Sequence, residues 1–246
     1  MKTVRAFLFD APFCFLSSTL RRTQLFTYTT VAMGCASSEP VALTPQQIAT
    51  ALVDALLLAS RIAVDTVSAA GGFGNNAALR IKIPGELGDM MGKLKNLPGL
   101  GDKVTEFEEN LNRAAELACK AALEVLHNVI RSLTFQDAKA ILEGPSDCAS
   151  RYFEQILRND LAAKFKPIVQ GKVDETGLGT VYNALTTAYN AIPFHNSPAF
   201  DLATYVTGKA LDGLFATLRQ KEGEVRGNKA GYTPAMQQAF GQPPRK

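Results

Sequence analysis

The chain has 246 residues, 46% apolar and 20% charged, which is enough to bury a sizeable core without metal or disulfide staples. Its formal charge of +3, from 26 basic and 23 acidic residues, is spread along the sequence and forms no stripe, which argues against a nucleic-acid footprint. Tryptophan is absent and phenylalanine, at 14, is the main aromatic, so aromatic mass is expected in the core and not on a stacking platform for bases.

Residues 1–43 differ in character from the rest. They are hydroxyl-rich, with Lys2, Arg5, Arg21 and Arg22 against Asp10 and Glu39, and read as a leader, targeting or disordered segment. The apolar run 6–16 is interrupted by Asp10 and Pro12, and 25–33 is diluted by threonines and a tyrosine, so neither stretch could span a bilayer. Met33-Gly34-Cys35-Ala36-Ser37-Ser38 carries the M-G-x-x-x-S pattern of N-myristoylation, with Cys35 placed for palmitoylation. Acylation of Gly34 requires translation to begin at Met33. Two chains would give stable peripheral membrane association where one gives only marginal binding. A lipoprotein signal ending at Cys35 and an organelle transit peptide remain open alternatives, so the compartment stays undetermined among lipid-anchored, organelle-targeted and exported.

The folded region opens at Thr44-Pro45, a cap residue followed by proline at the first helical position. Ile48, Leu52, Ala55, Leu56, Ala59, Ile62, Ala63 and Val67 then recur at helical spacing to about residue 70. Asp54, Arg61 and Asp65 on the remaining positions argue against a transmembrane helix. The glycine-rich stretch 71–76 is a turn, and 80–84 alternates like a short extended piece ending at Pro84. A short helix over 86–94 leads to the longest pattern in the chain. It starts at the cap candidate Asp102 and holds Val104, Phe107, Leu111, Ala115, Ala118, Ala122, Leu126, Val129 and Leu133 on one face. This predicts one uninterrupted central helix. Thr134 and Ser146 are cap candidates for two further helices, the second broken by Pro167. Helices over 181–191 and 201–226 follow; Gly208 and Gly213 inside the last suggest a close helix approach. The tail 227–246, with three prolines, is expected to be disordered. The fold class is therefore all-α, a single compact domain of about six to seven helices over 44–226 between two disordered tails.

Several runs in this order carry a family resemblance: 81–85 (IKIPG), 111–116 (LNRAAE), Leu133-Thr134 leading to Asp137-Ala138 and Ile141-Leu142, 151–153 (RYF), 165–169 (FKPIV) and 205–215 (YVTGKALDGLF). Together they resemble the bacterial family of domains of unknown function numbered 4197. The resemblance implies an all-helical domain and assigns no activity. Bacterial members generally begin with an export signal. The first 43 residues here lack the uninterrupted apolar segment that such a signal needs.

Chemistry-bearing residues are sparse. Glu124 and His127 stand one turn apart like half of a carboxylate-histidine metal site, but His195 has Ala191 where a second glutamate would stand, so no metal and no cofactor is expected. Cys119 and Cys148 are read as buried small apolar side chains. Neither glycine-rich turn, at 71–74 or 177–180, matches a phosphate-binding fingerprint. What remains is a polar set within the family runs: Asn112, Arg113, Glu116, Asp137, Arg151, Tyr152, Lys209 and Asp212. Two readings follow. One is a non-enzymatic module that binds a protein partner or an apolar ligand between its helices. The other is an enzyme using Glu116, Asp137, Arg113 and Tyr152, which requires those side chains to converge on one pocket.

Overall fold

The computed structural model describes residues 43–134, 138–227 and 231–241, Glu86 by its backbone alone. The first helix, α1 (Pro45–Ser68), begins with a complete capping box. The Thr44 hydroxyl accepts from Gln47 N at 3.2 Å, and Gln47 Oε1 accepts from Thr44 N at 2.9 Å. Helix α1 is long and apolar enough to cross a membrane. Its alanine-rich face, from Ile48 through Ala51, Ala55, Ala59 and Ala63 to Val67, is nonetheless buried in the core of the domain. Those small side chains let neighbouring helices approach closely.

Two short segments follow, loop 69–84 and α2 (Gly85–Lys95). The long central pattern forms two helices, α3 (Gly101–Ala121) and α4 (Leu123–Arg131), and the single rod expected from the sequence is bent at Ala122. No proline or glycine causes the bend. Ala122 N still bonds Ala118 O and Leu126 N still bonds Ala122 O, both at 3.0 Å, but Ala122 itself leaves the helical region at ψ 1° and divides the spiral into two helices. The entry to α3 is also not capped as expected: its N-cap is Leu100, and Asp102 lies inside the first turn.

Beyond α5 (Ala138–Glu143), α6 (Cys148–Glu175) continues through Pro167, where the sequence suggests a break. The reason is one of faces. Phe153, Leu161, Phe165, Val169 and Val173, spaced at multiples of four, form a ridge buried along one side, whereas Pro167 and Ala163, whose carbonyl loses its helical donor to the proline, are exposed to water. The freed carbonyl is solvated, and continuous burial offsets the local cost. Then come α7 (Leu178–Asn190), entered from Gly177 in the left-handed region at φ 69°, and α8 (Leu202–Gly227).

Helix α1 packs most extensively on α8, and α8 in turn on α6; α3 touches α1, α6, α7 and α8. Phe73, Phe107, Phe153, Phe165 and Phe215 fill the space between them, as the composition suggested. The segment after Gly227 adds an element that the sequence pattern does not give, α9 (Pro234–Phe240) against α1. Thr233 caps it through Met236 N at 3.3 Å and donates its hydroxyl to Asp54 of α1 at 2.6 Å, while Met236 is fully buried. The expectation of a disordered tail thus does not hold for 231–241. The described residues contain nine helices and no strand, in one compact domain.

Candidate functional site

Three of the polar family residues come together where loop 69–84 crosses α3. Asn112, only 3% exposed, is satisfied on both ends of its amide. Its Oδ1 accepts from Ile81 N at 2.9 Å, and its Nδ2 donates to Ile81 O at 3.0 Å and to Glu108 O at 2.8 Å. The side chain thereby stands in for a neighbouring strand. This is how Ile81, within the extended piece 80–84, keeps its backbone paired without a sheet.

One turn further along α3, Glu116 Oε1 accepts from Phe73 N at 3.2 Å, with Gly74 N at 3.5 Å, and Oε2 pairs with Arg113 at 3.2 Å. The Glu116 side chain is 4% exposed and that of Arg113 48% exposed, so the carboxylate is sealed under the loop while the guanidinium reaches solvent. Gly71 turns the chain at φ 79°, a conformation that favours glycine. Arg80 closes the loop from the other side, donating to Gly74 O and pairing with Glu108, both at 3.2 Å. The ring of Phe73 is fully buried against Gly213 of α8. An added Cβ at Gly213 would lie 2.5 Å from Phe73 Cε1. The close approach anticipated for α8 is real at Gly213, but the partner is an aromatic ring; Gly208 has nothing within 4 Å of such a carbon.

Between loop and helix lies a cleft of about 370 Å³ lined by Gly71, Gly74, Asn75, Arg80, Glu109, Asn110, Asn112, Arg113 and Glu116. Its polar groups are balanced, two guanidiniums against two carboxylates, with three asparagine amides between them.

The other residues singled out from the sequence lie elsewhere. Arg151 pairs with Asp147 at 2.7 Å at the start of α6, and the Tyr152 hydroxyl donates to Thr134 O at 3.3 Å. Asp212 and Lys209 pair with each other at 3.5 Å on α8, and Asp212 also binds Arg158, which shares Glu154 with Arg219. None of these lines the cleft. Asp137 falls outside the described residues, as do Gly34 and Cys35. His127 sits half-buried on α4 with Nε2 enclosed and unbonded; burial, followed by the Arg131 charge, pulls its pKa below the ordinary 6.5. Burial, with Glu116 nearby, pushes the Cys119 thiol up to about 12, which suits a packed side chain and not a nucleophile. Cys148, expected to be buried, is half-buried.

Sequence reasoning missed Glu222 and Arg226. Glu222 is completely buried on α8 and caps α6 from outside, accepting from Ser150 N at 2.7 Å and Ala149 N at 3.2 Å. Burial raises its pKa, while Arg226, 2.8 Å away, and the two N–H donors oppose the rise. Arg226 in turn lies 5.3 Å from the ring centroid of Phe240 in α9. In the sequence the pair is an ordinary i,i+4 combination of opposite charges, and nothing in that spacing signals burial.

No curated protein and no solved structure matches the chain. The family model described as "Protein of unknown function (DUF4197)" matches residues 42–241, which includes α9 and every residue of the cleft. The chain belongs to the DUF4197 family.

Proposed function

We propose that the domain is a non-enzymatic binding module that holds an extended polypeptide segment of a partner across the cleft between loop 69–84 and α3. The observation that carries this reading is the division of labour at the site. Asn112 and Glu116 are committed to holding the loop backbone, whereas Arg113, Asn75 and Asn110 present donors and acceptors along the opening. Asparagine amides offer a donor and an acceptor side by side, the complement of a peptide unit. Charge balance in the lining suits a neutral backbone better than a phosphate or a free carboxylate, and the volume lies within the range of small-ligand pockets. The carboxylate best placed for acid–base work, Glu116, accepts from backbone and guanidinium donors and has Tyr152 nowhere near it, which supports binding over catalysis.

Selecting a random-peptide library on the full chain tests the reading. It should enrich sequences whose binding is lost in Asn110→Ala and Arg113→Ala variants that keep the parental melting temperature. Enrichment only of peptides indifferent to both substitutions, or no enrichment, would overturn it.

A further inference from the structure

The linker between α7 and α8 contains the outlier of the molecule. Phe194 is 103% exposed, whereas five other phenylalanines are fully buried, and it is the one described non-glycine residue with positive φ, at 65°. It occupies the third position of a tight turn over 192–195 closed by His195 N to Ile192 O at 3.2 Å, with Pro193 before it. That position ordinarily takes glycine or asparagine, so the turn is strained by holding a side chain that contributes nothing to the core.

The presentation is rigid. His195 Nδ1 lies 2.9 Å from Pro193 O and Nε2 lies 2.9 Å from Lys93 Nζ. Both bonds form together when Nδ1 carries the proton and Nε2 accepts from the ammonium. The imidazole stands edge-on to Tyr189 at 5.2 Å, fixing the turn to the ends of α2 and α7. Lys93 and Lys95 lie in the last turn of α2, and Leu97, 39% exposed, follows one turn after Lys93. From residue 190 to 200 the linker holds no acidic side chain.

We propose that this turn is a membrane-contact loop: Phe194 enters the headgroup region of an anionic bilayer, Leu97 flanks it, and the lysines at the end of α2 lie at the level of the phosphates. Two observations favour a bilayer over a protein groove. The exposed apolar surface here is one ring and part of one leucine, far short of the roughly 800 Å² per partner of a stable protein interface. A bilayer needs no matching contour, and Lys93, held against His195 next to the ring, complements its negative surface. The inference stands independently of the cleft, which is built from other elements.

Because the chain has no tryptophan, Phe194→Trp places a single indole reporter at the tip. With the full chain, titration with phosphatidylcholine vesicles containing phosphatidylserine should shift that emission to the blue. Vesicles of phosphatidylcholine alone should not, and salt should weaken the shift. Phe194→Ala should lower partitioning about tenfold or more. Phe194→Gly should lose partitioning while raising the melting temperature, since glycine relieves the turn, and this separates contact from folding. An emission that ignores anionic vesicles, equal partitioning onto neutral ones, or anionic binding untouched by Phe194→Ala would each overturn the proposal. So would concentration-dependent self-association that Phe194→Ala abolishes in a chain indifferent to vesicles, because the ring would then belong to a protein contact.

Discussion

Alanine at Gly213 would set a methyl carbon 2.5 Å from Cε1 and 2.9 Å from Cζ of Phe73, inside any van der Waals contact. The ring has little room to yield, because it is fully buried and its backbone is held by Glu116. Overpacking of this kind costs about 1–3 kcal/mol. Gly208 on the same helix has open space around the same position, so alanine there should only gain the helical preference of about 1 kcal/mol. That gain is common to both variants and cancels between them. Gly213→Ala should therefore be less stable than Gly208→Ala by about 1–3 kcal/mol, or some 3–10 °C in melting temperature for a domain of this size. Urea unfolding followed by circular dichroism reads the difference directly. A double-mutant cycle with Phe73→Leu, which withdraws the ring, should show a coupling of at least about 1 kcal/mol. Equal stability of the two alanine variants, or strict additivity with Phe73→Leu, would refute the packing argument.

Three further outcomes are expected. Asn112→Ala removes all three bonds of the amide and leaves Ile81 N and O without partners in a buried loop, so it should destabilise the domain by about 3 kcal/mol in chemical denaturation. Pro167→Ala restores an N–H for Ala163 O within a helix that is already continuous. It should stabilise by about 1–2 kcal/mol, and a loss of stability would mean that the proline shapes α6 in some required way. His127 has a folded-state pKa below 6.5, so below that pH the unfolded chain binds the extra proton more readily. Stability should then fall as pH drops through about 6.5 toward the lower folded-state pKa, and His127→Gln should flatten the slope of the urea midpoint over that range.

Periodicity disclosed most helices because each buries a stripe, and local chemistry disclosed the start of α1, where the Thr44 and Gln47 side chains close on each other within one turn. It misjudged elements decided by distant contacts. The bend at Ala122 has no local cause, and the continuity of α6 through Pro167 depends on which face of the helix is wet. Helix α9 is short, and its cap bonds to Asp54, 179 residues earlier, a partner that no window of sequence contains. At the site, the trio Asn112, Arg113 and Glu116 was legible as a cluster because the residues share a turn of α3. Their partners Ile81, Phe73 and Gly74 were not, since a loop's path over a helix leaves no period. Arg151, Tyr152, Lys209 and Asp212 belong to equally distinctive runs, yet their partners are charges and carbonyls of α6, α8 and the connections on either side of α5.

The principal neighbour of α1 is α8, and 133 residues lie between the end of one and the start of the other. A ribosome adding roughly 5–20 residues per second needs on the order of ten seconds to cover that distance. Throughout that interval the most oily rod of the protein waits with its widest contact surface bare, looking to the cell's targeting and quality-control machinery like a segment bound for a bilayer. Until α8 is made, α1 is therefore expected to stay open to protease. Stalled chains ending near residue 200 should be cut readily by protease within α1, and chains stalled with α8 fully emerged should resist; equal resistance in both would show that α1 finds its place without its chief partner.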